Sequence, residues 1–205
     1  MFSTVRIAAA FVVFVCGHGV ALAGAYEDVL LAAQNGRTDL VANSLSRGMD
    51  VNTAGPDGSS LLIIAAREDN QSLVEFLLAQ RANVNFRNRY GDTALHAAAT
   101  LGNVKVVKVL LAKGAEVNSP GWTPLHYASY GGHAAVAEAL ITHHAQLDLR
   151  APNGQTALML AAKGGHEDVI AVLVKGGADQ SLVDADGKTY LAILEASKDK
   201  GVYQK

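Results

Sequence analysis

The chain has 205 residues and a formal net charge of −2, from 17 basic and 19 acidic side chains. Half of its residues are hydrophobic but only 6% are aromatic, so Ala, Leu and Val must supply most of a core, which favours packed helices over a β-sandwich. The balanced charge excludes the basic surplus typical of nucleic-acid binders, and we therefore expect no DNA or RNA partner.

The first 23 residues have the three parts of a secretory signal peptide. Arg6 follows the start methionine, an apolar stretch covers residues 7–23, and residues 21–23 form a small-x-small cleavage site. A membrane-spanning helix needs about 20 apolar residues, whereas this stretch has 17 and is interrupted by glycines. We predict cleavage after Ala23, a periplasmic location, and no stable membrane insertion of the mature chain. Retention as an anchor is the alternative.

The single cysteine, Cys16, lies inside this segment. Lipidation there is a further alternative, but Val15 stands where lipoprotein processing needs a small residue. Cleavage after Ala23 would remove the thiol. The mature protein would then have no disulfide framework and would depend on packing for stability.

The rest of the chain is repetitive. Glycines mark equivalent positions at spacings of 33, 30, 33 and 33 residues: Gly58, Gly91, Gly121, Gly154 and Gly187. Two residues later each copy has a hydroxyl side chain, which is typical of a helix N-cap: Ser60, Thr93, Thr123, Thr156 and Thr189. Small residues, a turn, an apolar stripe at helical spacing and a further glycine follow. Each unit is therefore predicted to contain a helix, a turn, a second helix and a loop.

The predicted domains follow from the spacing of the repeats. They are a signal peptide (1–23), an N-terminal capping repeat (24–57), four central repeats (58–186), and a C-terminal capping half-repeat with a tail (187–205). Both ends match the pattern imperfectly and become more polar. Terminal repeats with a polar outer face keep such an array in solution.

Three segments identify a family resemblance. Residues Thr123–His126, Gly132–His133 and Gly114–Asn118 closely resemble the signature of ankyrin repeats, and the resemblance covers residues 26–200. It implies an all-α solenoid of stacked helix-turn-helix units with projecting hairpin-like loops. It also implies a role in protein–protein recognition. The chain also resembles exported bacterial ankyrin proteins. That resemblance implies a role in oxidative-stress defence beside catalase, or in immunity against a toxic enzyme.

Histidines are the main candidates for chemistry. His96 and His126 occupy the Thr-x-Leu-His column, where the ring is expected to bond to the threonine hydroxyl and to nearby backbone. His133 and His166 occupy a Gly-His turn. The pair at 143–144 departs from the pattern, but adjacent residues at a helix end point about 100° apart and make a poor chelate.

Motifs for catalysis are missing from the sequence. It has no Gly-x-Ser-x-Gly and no phosphate-binding loop. Asp179, Asp184 and Asp186 are close together, but they lack the glycine and final glutamate of a calcium loop. We therefore predict a protein that is not an enzyme and has no cofactor or bound metal. Use of the histidines for metal binding or catalysis is the alternative.

Residue types typical of binding hot spots are concentrated in the middle of the chain. In this family, recognition uses loop tips and the exposed faces of first helices. The predicted partner-binding residues are Arg87, Arg89, Tyr90, Trp122, Tyr127 and Tyr130. The alternative interpretation is that Trp122 and Tyr127 merely fill space beside a shortened loop.

That shortening explains the one interval of 30 residues. Val84 and Gly91 are seven positions apart, whereas Val117 and Gly121 are only four apart. Losing three residues from a helix would rotate its apolar face, but losing them from a loop costs little. We predict a notch in the row of loops beside Trp122, flanked by the basic and aromatic residues of the preceding loop.

The resemblance to ankyrin repeats implies a protein that binds another protein, and we expect it to be a monomer. The leading hypothesis is an accessory, stabilising or inhibitory partner of an exported enzyme. A secreted effector that binds a host protein is the alternative.

Overall fold

The computed structural model describes residues 19–199 of the protein, with side chains from residue 24 to residue 198. The predicted signal peptide lies outside this part of the chain, apart from residues 19–23 at the start of the first helix. The described residues form eleven helices and no strand. The helices are α1 (Gly19–Gln34), α2 (Thr38–Ser46), α3 (Leu61–Arg67), α4 (Gln71–Ala79), α5 (Ala94–Leu101), α6 (Val104–Ala112), α7 (Pro124–Tyr130), α8 (Ala134–Thr142), α9 (Ala157–Gly164), α10 (Glu167–Lys175) and α11 (Tyr190–Asp199).

The helices form two layers. The odd-numbered helices α1 to α11 pack side by side in one row, and the even-numbered helices α2 to α10 pack in a second row. Each odd-numbered helix up to α9 also contacts the even-numbered helix that follows it, so five helix pairs precede a single last helix. The predicted all-α solenoid is therefore confirmed. Within the described range, every helix is too short or too polar to cross a membrane.

Equivalent leucines fill one continuous core. They are Leu62, Leu95, Leu125 and Leu158 in the first row, and Leu77, Leu110, Leu140 and Leu173 in the second row. All eight are buried, because each repeat covers the apolar face of its neighbour. Truncating a leucine in such a core costs about 2–5 kcal/mol of folding free energy. The repeated packing therefore fixes the phase of every loop.

Hydroxyl side chains start the first-row helices. Ser60 Oγ accepts a hydrogen bond from Ile63 N at 3.3 Å, and Thr156 Oγ1 accepts one from Met159 N at 3.4 Å. Thr123 does the same for α7, which also has a proline at its first position. These contacts satisfy backbone donors that have no partner inside the helix.

A ladder of side chains connects the loops. Four side-chain oxygens, each in one loop, accept hydrogen bonds at 2.8–2.9 Å from a backbone N–H of the next repeat. The acceptors are Asn52, Asn85, Asn118 and Asp148, and the donors belong to Asn83, Glu116, Gln146 and Asp179. This loop ladder holds neighbouring loops at a fixed spacing.

Candidate partner-binding site

Trp122 and Tyr127 form the centre of the candidate site. Their ring centroids are 5.4 Å apart, and the ring planes are inclined by 36°. Both residues are half-buried, and Tyr127 Oη donates to Asp92 Oδ1 at 3.3 Å. Aromatic pairs at such separations contribute about 0.5–1.5 kcal/mol beyond their buried area. The pair is thus packed into the surface while part of each side chain stays accessible.

His96 attaches the shortened loop to α5. Its Nδ1 accepts a hydrogen bond from Thr93 N at 3.1 Å, so the ring proton is on Nε2. Nε2 lies 3.0 Å from Trp122 O and 2.8 Å from the hydroxyl of Ser119. His96 and Ser119 are both buried. One imidazole therefore connects both sides of the shortened loop to α5.

His126 has the same arrangement one repeat later. Its Nδ1 accepts from Thr123 N at 3.0 Å, and its Nε2 donates to Leu149 O at 2.9 Å. The ring also meets Trp122 edge-on, with centroids 6.0 Å apart. The predicted contact with the threonine hydroxyl is confirmed for both histidines, at 2.9 Å. Trp122 is consequently in contact with two buried imidazoles.

Burial sets the protonation of this cluster. It lowers the pKa of His96, against the opposing charge of Asp92 and the hydrogen bond to Trp122 O. It also lowers the pKa of His126 and raises that of Tyr127, where Asp92 acts in the same direction. Both imidazoles are neutral at pH 7 and have both nitrogens occupied by protein groups. They act as structural hydrogen-bonding groups.

The shortened loop lacks the bonds that close the other loops. In the loop before α9, Ala151 N donates to Gln155 O at 2.9 Å, and Gly154 N donates to Ala151 O at 2.8 Å. The same pair of bonds closes residues 55–59, 88–92 and 184–188. No backbone–backbone bond of this kind closes residues 116–122, which are all described. The three missing residues are therefore lost from a loop tip.

Arg87 connects the preceding loop to the shortened one. Its Nη2 lies 2.7 Å from Glu116 Oε2, and its Nη1 donates to Gly91 O at 2.9 Å. Both charged side chains are partly exposed. Exposed ion pairs contribute little to stability. This pair mainly orients the two loops relative to each other.

The other predicted residues lie at separate positions. Arg89 contacts the loop that precedes α3, where its backbone N–H donates to Asp57 O at 3.2 Å. Tyr90 is 79% exposed at the loop tip, and Tyr130 is 57% exposed at the end of α7. Contacts therefore join Trp122 to Tyr127 and bring Arg87 to the shortened loop. Arg89 instead contacts the preceding loop.

The turn histidines also have structural partners. His133 Nε2 lies 3.0 Å from Thr100 O, and His166 Nε2 lies 3.0 Å from Tyr130 O. A Cβ on Gly102 would come within 2.6 Å of the His133 ring, so glycine is required at that close approach. Each of these histidines thus joins its second-row helix to the preceding repeat.

The remaining histidine pair caps α8. His143 Nδ1 lies 2.9 Å from Ala139 O, and His144 adopts a left-handed backbone conformation with φ of 65°. The equivalent residue after α6 is Gly114, with φ of 81°. In the part of the chain that the structure describes, no three His, Cys, Asp or Glu side chains are grouped as metal ligands.

A groove beside Tyr127 was not predicted from the sequence. It has a volume of about 270 Å³ and lies between α3, α5, α7 and the loop that precedes α5. Its apolar lining includes Ile63, Ala97 and Leu101, and its charged lining consists of Arg67 and Asp92. The sequence held one signal for this central groove: Leu101 stands where the neighbouring units have Glu68 and Gly131.

Comparison with known proteins agrees with this architecture. A family model described as ankyrin repeats (3 copies) matches residues 29–120, 118–184 and 140–196. These matches extend over most of the described chain. No curated protein gives a significant match.

Proposed function

Because the chain belongs to the ankyrin repeat family, we propose that it acts as a non-catalytic protein-binding module in the periplasm. Its partner is an exported enzyme that it assists, stabilises or inhibits, and oxidative-stress defence is one setting for this role. The family match supports the general class of protein–protein interaction module. The signal peptide that the sequence predicts supports the compartment.

The position of the proposed binding site is supported by the distribution of exposed large apolar side chains. Among the described residues, one group lies in the terminal units, which lack a neighbour on one side, or directly before the last of them: Tyr26, Leu31, Leu40, Val183 and Leu191. The other group lies in the central units: Tyr90, Leu101 and Tyr130. A missing neighbour cannot explain the central group. Tyr is enriched at binding hot spots, and Leu101 of the central group lines the same groove as Tyr127.

Partner capture tests the proposed site. The mature chain (residues 24–205) is used as bait on a periplasmic extract, beside Trp122→Ala and Tyr130→Ala. Recovery of a specific protein should fall about tenfold or more with each variant, as expected for hot-spot residues. Tyr26→Ala is the matched control, since Tyr26 is also an exposed tyrosine (44%) but lies in the first unit. Equal recovery with all four baits would reject the site.

Fractionation tests the compartment. The protein should be released with the periplasmic fraction and should begin at Gly24 when its N-terminus is sequenced. Detection in the culture medium would favour the secreted effector. An uncleaved chain in the membrane fraction would favour an anchor.

A further inference from the structure

The central groove contains a carboxylate without an ion-pair partner among the described side chains. Among the described residues, the Asp92 carboxylate accepts one hydrogen bond, the long one of 3.3 Å from Tyr127 Oη. Its neighbour His96 is neutral, with both ring nitrogens bonded to other groups. A partly buried carboxylate with one weak partner attracts a cation more strongly than a fully solvated one does.

The basic residue of the groove is already engaged. Arg67 Nη2 lies 3.3 Å from the Ser59 hydroxyl and 4.0 Å from Asp57 Oδ2. Arg67 and Asp92 are the charged residues of the lining, and Arg67 is paired with Asp57 outside it, so Asp92 is the charge left for a partner. An anionic partner group would face the unpaired Asp92, whereas a cationic group would complement it.

We propose that the central groove receives an arginine side chain of the partner protein. This proposal rests on the binding function proposed above and specifies the chemistry that the partner must present. The aliphatic stem of the arginine lies along Leu101 and Ala97, which supply apolar surface. The guanidinium group binds the Asp92 carboxylate beside the Tyr127 ring.

The shape of the groove favours arginine over other residues. A volume of about 270 Å³ suits one long side chain and not a helix. A planar guanidinium can stack on a tyrosine ring and donate two hydrogen bonds to one carboxylate, whereas an ammonium cannot match both contacts. A purely apolar side chain would fill the groove but leave the Asp92 carboxylate desolvated with only the long bond from Tyr127 Oη among the described residues.

Selected peptides provide the test. Random peptides displayed on phage are selected on the immobilised mature chain, and the best binder is synthesised with a fluorescent label. Its Kd is measured by anisotropy with arginine and with citrulline, its uncharged isostere, on wild type and on Asp92→Asn. Citrulline should weaken binding to the wild type about tenfold and should change binding to Asp92→Asn little.

Two controls and three outcomes define the result. Asp186→Asn removes the same charge from the last loop and should bind like the wild type, and thermal unfolding verifies that each variant is folded. Peptides without a shared arginine, or an equal citrulline effect on wild type and Asp92→Asn, would overturn the inference. The proposed function would survive either result if Trp122→Ala still weakened binding. Failure to enrich any peptide would also reject the inference, while partner capture would still decide the proposed function.

Discussion

The junction between α6 and α7 and the junction between α8 and α9 connect the same two layers with different numbers of residues. The longer loop closes through its own backbone, and Arg150 Nη1 adds a bond of 2.7 Å to Gly154 O. The shorter loop has no such closure, and its Ser119 and Trp122 depend on His96 from the preceding repeat.

This difference shows where the order of each loop comes from. His126 also contacts the longer loop, through a single bond to Leu149 O. The same histidine column therefore adds one contact to a loop that is already closed, whereas it attaches two residues of the loop that is not closed. The Trp122 ring is positioned by this attachment and by its stacking on Tyr127.

Removing each imidazole in turn should give the largest difference in stability between the two junctions. His96→Ala leaves the Thr93 N–H and the Trp122 carbonyl without their partner, so we expect a loss of about 2–4 kcal/mol in the free energy of unfolding. His126→Ala should cost less, about 1–3 kcal/mol, because the longer loop keeps its own bonds. Urea denaturation measures both values. Equal losses would show that the shortened loop does not depend on its histidine.

Acid should weaken the same contacts. Burial places the folded-state pKa of His96 and His126 below the unfolded value of about 6.5. The unfolded chain then binds more protons, so stability is full above about pH 6.5 and decreases as the pH falls from there toward the folded-state pKa. Thermal unfolding between pH 7.5 and pH 5 should show a smaller decrease in His96→Gln, and a still smaller one when His126→Gln is added. Unchanged slopes in the variants would assign the acid sensitivity to other groups.

Substitutions at the helix ends of the two junctions should change the free energy of unfolding by a smaller amount. His144 has φ of 65°, a left-handed conformation that glycine adopts without strain, whereas the equivalent position at the shorter junction is Gly114. We expect His144→Gly to stabilise the protein by about 0.5–1 kcal/mol, and Gly114→His to destabilise it by a similar amount. Arg81, with φ of 64°, offers a matched third site. A loss of stability in His144→Gly would show that its side chain makes a compensating contact.

The sequence predicted the fold well because the fold depends on short-range patterns. The hydroxyl column identified the starts of the helices, and the leucine and alanine positions identified their buried faces. These features recur in every unit, so one weak match is supported by the others. The location of the shortening followed from the same phase.

The site could be predicted only as a set of residues. Tyr127 and Asp92 belong to different units, and their hydrogen bond depends on how those units stack. The position of Arg89 against Asp57 likewise depends on the path of two loops. The attachment of Ser119 and Trp122 to His96 has the same origin. Residue type indicated which side chains suit recognition, whereas their grouping is a property of the packed array.

The loop ladder has a consequence for how the protein can evolve. Each of its bonds joins a side chain of one unit to a backbone N–H of the next unit. Any residue that has a backbone N–H can therefore be the donor. Loop tips can therefore change freely in sequence while the asparagine or aspartate column is kept. Duplication of a whole unit would add one more acceptor and one more donor in register. The array can thus lengthen, or acquire a new recognition surface, without a redesign of its junctions.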